Sequence, residues 1–228
     1  MITLASNHFG FLLSILAALT TMLGWLIISL KRNLTPRLVA ISLLLASGAM
    51  ILVSLLELIP TALRAGMTGA EVSLWFFVGV GVVLTLRALA EKIESTVNEL
   101  EKSALLVAIA LTLHNIPEGS VAISAAIVDL QSGIISAIAI SLHNIPEGLA
   151  IAVTAVAASM KSLKVFVLVL IATLAEMSGA VLVFLESTSM SVSIAAKLLT
   201  VVAGIMMAVT IAELIPHGLK ALRNSKSA

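Results

Sequence analysis

Charged residues in this chain gather at intervals, and the stretches between them are apolar and long enough to cross a bilayer. They fall at about residues 9–30, 38–63, 73–90, 103–128, 132–159, 163–185 and 193–222. In hydrocarbon no water is present to pair a backbone N–H or C=O, so each such stretch must satisfy its own backbone as a helix. The pattern therefore predicts an all-α fold, a polytopic membrane helix bundle of seven spans forming one transmembrane domain over residues 1–228. Charged residues make up 11% of the chain, against about 25% in a soluble domain. The bilayer is the first partner this implies. A formal net charge of +1 with no basic tract gives no sign of a nucleic-acid partner. Cysteine is absent, which excludes disulfides, thiolate metal sites and thiol catalysis. The first apolar run begins near Phe9, has no basic segment before it and extends to about Leu30, so it reads as a span and not as a cleavable signal.

Orientation follows from Lys and Arg, which favour the cytoplasmic side. Alternate connections carry Lys31, Arg32 and Arg37, then Arg87, Lys92 and Lys102, then Lys161 and Lys164, then Lys220, Arg223 and Lys226. The opposite ends hold only Arg64 and Lys197 of the 13 basic residues. The N-terminus is expected outside and the C-terminus of this chain inside. Glu91–Lys102 is the longest connection, charged and expected to be solvated.

The hexapeptide His-Asn-Ile-Pro-Glu-Gly occurs twice, at His114–Gly119 and His143–Gly148, each time in the middle of an apolar span. A charged carboxylate at the centre of a membrane helix costs about 2.5–3.5 kcal/mol on insertion scales. A chain that bears this cost twice, beside a histidine each time, is built to hold a cation there. Residues advance by about 100° on an ideal helix, so Glu118 falls one turn on, between the directions of His114 and Asn115. Glu147 stands in the same way to His143 and Asn144. A carboxylate so placed can bridge two ions, one towards the histidines and one towards the asparagines. A mixed nitrogen and oxygen shell suits first-row divalent cations better than sodium or potassium. Pro117 and Pro146 each remove a backbone donor and free the carbonyls of Leu113 and Leu142. Gly119 and Gly148 allow a neighbouring helix to come close.

A second pattern recurs. Gly48-x-Met50-x-x-Val53-Ser54-x-x-Glu57-Leu58-Ile59-Pro60 in the second span matches Gly204-x-Met206-x-x-Val209-Thr210-x-x-Glu213-Leu214-Ile215-Pro216 in the seventh. By the orientation above these spans run in opposite directions, as do the two spans bearing the hexapeptide. This predicts inverted-topology repeats, which place a substrate site near the midplane.

Glu176 is a third acid in mid-span, with nothing near it in sequence to neutralise it, and it is expected to meet a bound ion. Met50 is a thioether in mid-span, a residue type that is core filler more often than ligand. Glu57, Glu213 and His217 lie nearer the membrane faces, where solvation makes charge cheap, and are candidates for an entrance or exit; Glu213 and His217 share a helix face.

At these residues the chain resembles the ZIP (Zrt/Irt-like) family of divalent-metal transporters, and within it the short prokaryotic GufA- and ZupT-type members. The family signature pairs His-Asn-x-x-Glu/Asp in the fourth helix with His-x-x-x-Glu in the fifth. Here these are His114-Asn115-Ile116-Pro117-Glu118 and His143-Asn144-Ile145-Pro146-Glu147. The resemblance implies a binuclear metal centre completed by Glu176 and, in some members, by a methionine that matches Met50. It further implies uptake across the plasma (inner) membrane into the cytoplasm, a homodimer, and an elevator-like motion of helices one, four, five and six against the rest. The cargo is expected to be zinc first, with iron, manganese, cobalt and cadmium as alternatives, and no resident cofactor is implied. Family members have eight helices with both termini outside, whereas seven spans are present here. By the inverted repeat the eighth would pair with the third and belong to the scaffold. Glu91–Lys102 lacks the histidines that many relatives carry between helices three and four.

Two other classes of function compete. An intramembrane metallohydrolase needs a His-Glu-x-x-His arrangement with an open metal position, and neither hexapeptide has that spacing. A proton-coupled carrier of an organic substrate would use Glu118, Glu147 and Glu176 as relays and would want an aromatic-lined cavity, but aromatics are 4% of the chain and tyrosine is absent. A transporter, not an enzyme, is the reading the residues favour.

Overall fold

A computed structural model describes residues 2–30, 35–90 and 99–224. Lys31, Arg32, Lys92 and Lys226 lie outside the described residues, as does most of the charged connection Glu91–Lys102, of which Glu99–Lys102 begins a helix.

The described residues form seven helices and no strand. Helix α1 spans Ile2–Leu30. Helix α2 spans Pro36–Val53 and continues through a π-helical turn, Ser54–Leu58, into Ile59–Arg64. Helix α3 is Gly69–Ala90, and α4 is Glu99–Gly119 with a continuation at Val121–Val128. Helix α5 is Leu130–Ala157 and α6 is Ser162–Glu186. Helix α7 runs Val192–Val209, takes a π-helical turn at Thr210–Leu214 and ends with Ile215–Asn224. Among the described residues, five of these (α1, α2, α5, α6 and α7) are long and apolar enough to cross a membrane by length and composition. The apolar part of α3, Gly69–Thr85, is shorter, and α4 opens on the charged residues Glu99, Glu101 and Lys102.

The starts of the helices are written in side-chain caps, which satisfy first-turn N–H groups that have no partner within the helix. Thr35 accepts from Leu38 N at 3.2 Å, with Pro36 at the first helical position. Asp129 accepts from Ser132 N at 2.8 Å and starts α5. Thr68 and Glu71 form a reciprocal pair at the start of α3: Thr68 N donates to Glu71 Oε2 at 2.8 Å, and Glu71 N donates to Thr68 Oγ1 at 3.3 Å. The Thr68 N–H, then its hydroxyl, hold the Glu71 carboxyl below the usual range. Partial burial pushes Asp129 up, but the hydroxyl and N–H of Ser132 and the Arg64 charge outweigh it and hold Asp129 low.

Both π-helical turns take in the Glu-Leu of a Glu-Leu-Ile-Pro segment, with Pro60 and Pro216 two residues beyond each turn. Proline has no N–H and its ring crowds the carbonyl four residues back, and a π turn is one way a helix absorbs such an interruption. The repeat is also visible in the contacts between α2 and α7. The Thr210 hydroxyl donates to Met50 Sδ at 3.2 Å, and the Ser54 hydroxyl donates to Met206 Sδ at 3.9 Å. Each half of the repeat thus offers a methionine to the other half's hydroxyl.

The helices fall into two sets. In one, α1 packs along α5 and α6, and α4 packs along α6 and α5; in the other, α3 and α2 pack on α7. The α2–α5 contact is the main seam between the sets, helped by the continuation of α4 against α7.

Candidate metal centre

Helices α4 and α5 carry the two hexapeptides to one place. His114 and Glu118 are one turn apart on α4, and His143 and Glu147 one turn apart on α5. All four are buried, and one ligand atom from each lies within 4.8 Å of the others. His114 Nε2 stands 3.4 Å from Glu118 Oε2 and 3.6 Å from Glu147 Oε2. His143 Nε2 stands 3.1 Å from Glu118 Oε1 and 3.4 Å from Glu147 Oε2. Each imidazole therefore faces both carboxylates.

Charge-assisted hydrogen bonds run about 2.7–2.9 Å, so most of these separations are too long for that bond. Two ligands of one tetrahedral zinc, each bonded at about 2.1 Å, lie about 3.4 Å apart, which matches the cluster. The bonding inventory agrees. Both carboxylate oxygens of Glu118 and of Glu147, and both ring nitrogens of His143, have no hydrogen-bond partner among the described residues. Burying an ion without compensation costs several kcal/mol, and a divalent cation would satisfy two carboxylates and two imidazoles at once.

Beside this cluster lies a second polar group, built from α1, α5 and α6. The Asn144 amide donates to Glu176 Oε1 at 2.9 Å and Oε2 at 3.0 Å, and to the Ala17 carbonyl at 2.9 Å. Thr21 Oγ1 is 3.5 Å from Glu176 Oε2. The Asn115 amide donates to the Ala172 carbonyl at 3.3 Å. In both asparagines the amide nitrogen is used, while the oxygen, Oδ1, is buried with no partner among the described residues. Glu176 thus meets Asn144 and Thr21 and does not join the four-residue cluster.

The other candidates stand elsewhere. Met50 is buried, with its sulfur taking the Thr210 hydroxyl on α7. Glu57 is buried, not solvated at a membrane face as its place near a helix end suggested. It accepts from Thr61 at 3.1 Å and Ser136 at 3.3 Å, with Arg64 at 3.9 Å. Arg64 in turn donates to Thr61 Oγ1 at 2.7 Å and to Ser132 Oγ at 3.1 Å, so these polar groups tie α2 to the first turns of α5. Glu213 is half-buried, and its carboxylate lies 3.8 Å from His217 Nδ1, which also sits 2.7 Å from the Glu213 carbonyl. Thr21, Ser136 and the Ala17 and Ala172 carbonyls have partners far away in the chain, so local sequence does not mark them.

Pro117 and Pro146 have different local consequences. Helix α5 continues through Pro146, while α4 breaks at Ser120, whose hydroxyl and N–H both turn back to the Pro117 carbonyl. The matching position in α5 is Leu149, which has no side-chain donor.

Comparison with known proteins points the same way as the site. The family model for the ZIP Zinc transporter matches residues 88–227. The chain is 36% identical over 217 residues to the zinc transporter ZupT of Escherichia coli O7:K1 (strain IAI39 / ExPEC), an alignment covering 90% of this chain and 84% of that protein. It is 35% identical, with the same coverage, to the zinc transporters ZupT of E. coli strain K12 / DH10B and of E. coli O157:H7 (strain EC4115 / EHEC).

Proposed function

The chain belongs to the ZIP family of zinc transporters, and on that premise we propose that it carries zinc across the plasma (inner) membrane into the cytoplasm. The observation that carries this reading is the buried square of His114, Glu118, His143 and Glu147, whose carboxylates have no other partner among the described residues. Two carboxylates balance the charge of one divalent cation, and two imidazoles favour zinc, iron, cobalt or cadmium over harder ions. Manganese is the weakest fit among the alternatives, since it gains least from imidazole.

Glu118 and Glu147 are the bridging ligands in this proposal. A second ion position lies towards Asn144 and Glu176, where the partnerless Asn115 and Asn144 oxygens are neutral ligands. Both positions are borne by α4, α5 and α6, so the cargo travels with the set α1, α4, α5 and α6 against α2, α3 and α7. Met50 supplies a soft ligand when its sulfur exchanges the Thr210 hydroxyl for the ion, and Glu57, Glu213 and His217 act on the way in or out. The orientation of the bundle rests on the excess of Lys and Arg at one set of helix ends, and the inward direction on the family resemblance. The family resemblance also carries a homodimer, which light scattering on the detergent-solubilised protein tests.

The direct experiment is zinc uptake into proteoliposomes by the wild type and Glu118→Ala. The variant should lose at least tenfold in rate, since it leaves two imidazoles and one carboxylate. Uptake at the wild-type rate would end the proposal.

A further inference from the structure

The contacts around the site repeat, and the repeat singles out one residue on α1. Where α4 meets α6, Gly119 lies against the Glu176 carbonyl and Gly179 against the Ile116 carbonyl. Where α5 meets α1, Gly148 lies against the Thr21 carbonyl and Gly24 against the Ile145 carbonyl. A Cβ on any of these glycines would run into backbone, so each close approach fixes the register of its helix pair. One turn back, Asn115 donates to the Ala172 carbonyl and Asn144 to the Ala17 carbonyl. Ala17 thus corresponds to Ala172 and Gly24 to Gly179, and between them Thr21 corresponds to Glu176.

These two counterparts face each other. Thr21 is fully buried, Glu176 is 1% exposed, and Thr21 Oγ1 lies 3.5 Å from Glu176 Oε2. A threonine inside a helix ordinarily turns its hydroxyl back to a carbonyl of the preceding turn, as the neighbouring Thr20 does with Ala17. Thr21 instead reaches across to another helix. The separation is long for a hydroxyl bonded to a carboxylate, about 2.5–2.7 Å, and close to the ~3.4 Å between two ligands of one tetrahedral ion.

We infer that Thr21 is a specificity-determining residue of the second ion position, where its hydroxyl oxygen faces the ion together with Glu176 and the Asn144 oxygen. It gives that position a neutral oxygen where symmetry would otherwise repeat a carboxylate. Beyond the shared carboxylates of Glu118 and Glu147, the second position then has one acid and neutral oxygens where the first has two imidazoles; for zinc that makes it the weaker of the two, and a weak position releases its ion readily. The inference rests on the two-position reading proposed above.

Calorimetric titration of the detergent-solubilised full chain with Zn2+ tests it, using wild type, Thr21→Val, Thr21→Ser and Glu176→Gln. Valine keeps the shape and removes the oxygen; serine keeps the oxygen. Thr21→Val should weaken the second ion by about tenfold or more while leaving the first unchanged, the scale of losing a group that supports a metal site. Thr21→Ser should bind as wild type, and Glu176→Gln should lose the second ion. Wild-type binding by Thr21→Val, or equal weakening in Thr21→Ser, would overturn the inference while Glu176→Gln still upholds the second position. A wild type that takes only one ion, or a Glu176→Gln variant that still takes two, overturns the two-position reading and this inference with it.

Discussion

His143 and His114 face the same two carboxylates, so the nitrogen they contribute is what distinguishes this cluster from an all-oxygen site. Imidazole raises affinity for zinc far more than for manganese. His143→Ala should therefore reduce zinc affinity by tenfold or more and manganese affinity by much less, narrowing the preference between them. Competitive uptake of the two metals by wild type and variant measures this, and an unchanged preference would mean that His143 is not a ligand. His114, Glu118, His143 and Glu147 were legible in the sequence because the relation of each histidine to its glutamate is local, one helical turn. Thr21 was not. Its partner is 155 positions away, and its counterpart in the repeat is an acid, so neither spacing nor identity marks it. Glu57 misled for the opposite reason: its place near a helix end suggested solvent, while Ser136 and Arg64 from other turns bury and bond it.

Among the elements, α5 carries one whole hexapeptide, and its start rests on Asp129. That carboxylate accepts from Ser132 N at 2.8 Å and from the Ser132 hydroxyl at 2.6 Å. Replacing such a cap by alanine costs about 1 kcal/mol, so Asp129→Ala should lower the thermal midpoint in detergent at neutral pH. The sign with pH follows from the lowered pKa of Asp129. A carboxyl held below its unfolded value, about 3.9, contributes fully above that value and loses its contribution as pH falls through the folded one. The difference between wild type and Asp129→Ala should therefore be constant from pH 8 to 5 and shrink below about 4. A difference that grows on acidification would assign the effect to something other than the cap. The apolar lengths and the prolines of these elements could be read in advance. The π turns before Pro60 and Pro216 could not, because a proline dictates that the helix must adjust and leaves open how. Nor could the break in α4 at Ser120, which depends on whether the residue three beyond the proline carries a hydroxyl.

Over the whole molecule, the repeated contacts of α1 with α5 and of α4 with α6, and the crossed methionine–hydroxyl pairs of α2 and α7, join like halves in opposite senses. An inverted arrangement of this kind looks alike from either side, so its faces must be assigned by other means, and the bias of Lys and Arg makes that assignment. The α6–α7 connection should then lie outside and the α5–α6 connection inside. The chain has no cysteine, so a single introduced thiol reports its own side without background. Thr188 and Ser162 are both exposed, in the turn just beyond the C-terminal end of α6 and in the first turn of the same helix respectively. Thr188→Cys in intact cells should react with a membrane-impermeant maleimide, and Ser162→Cys should react only after the membrane is opened. Because the two positions flank one helix, each serves as the control for the other. Labelling in the reverse order would invert the bundle and place the Lys- and Arg-rich ends outside, which would overturn the orientation.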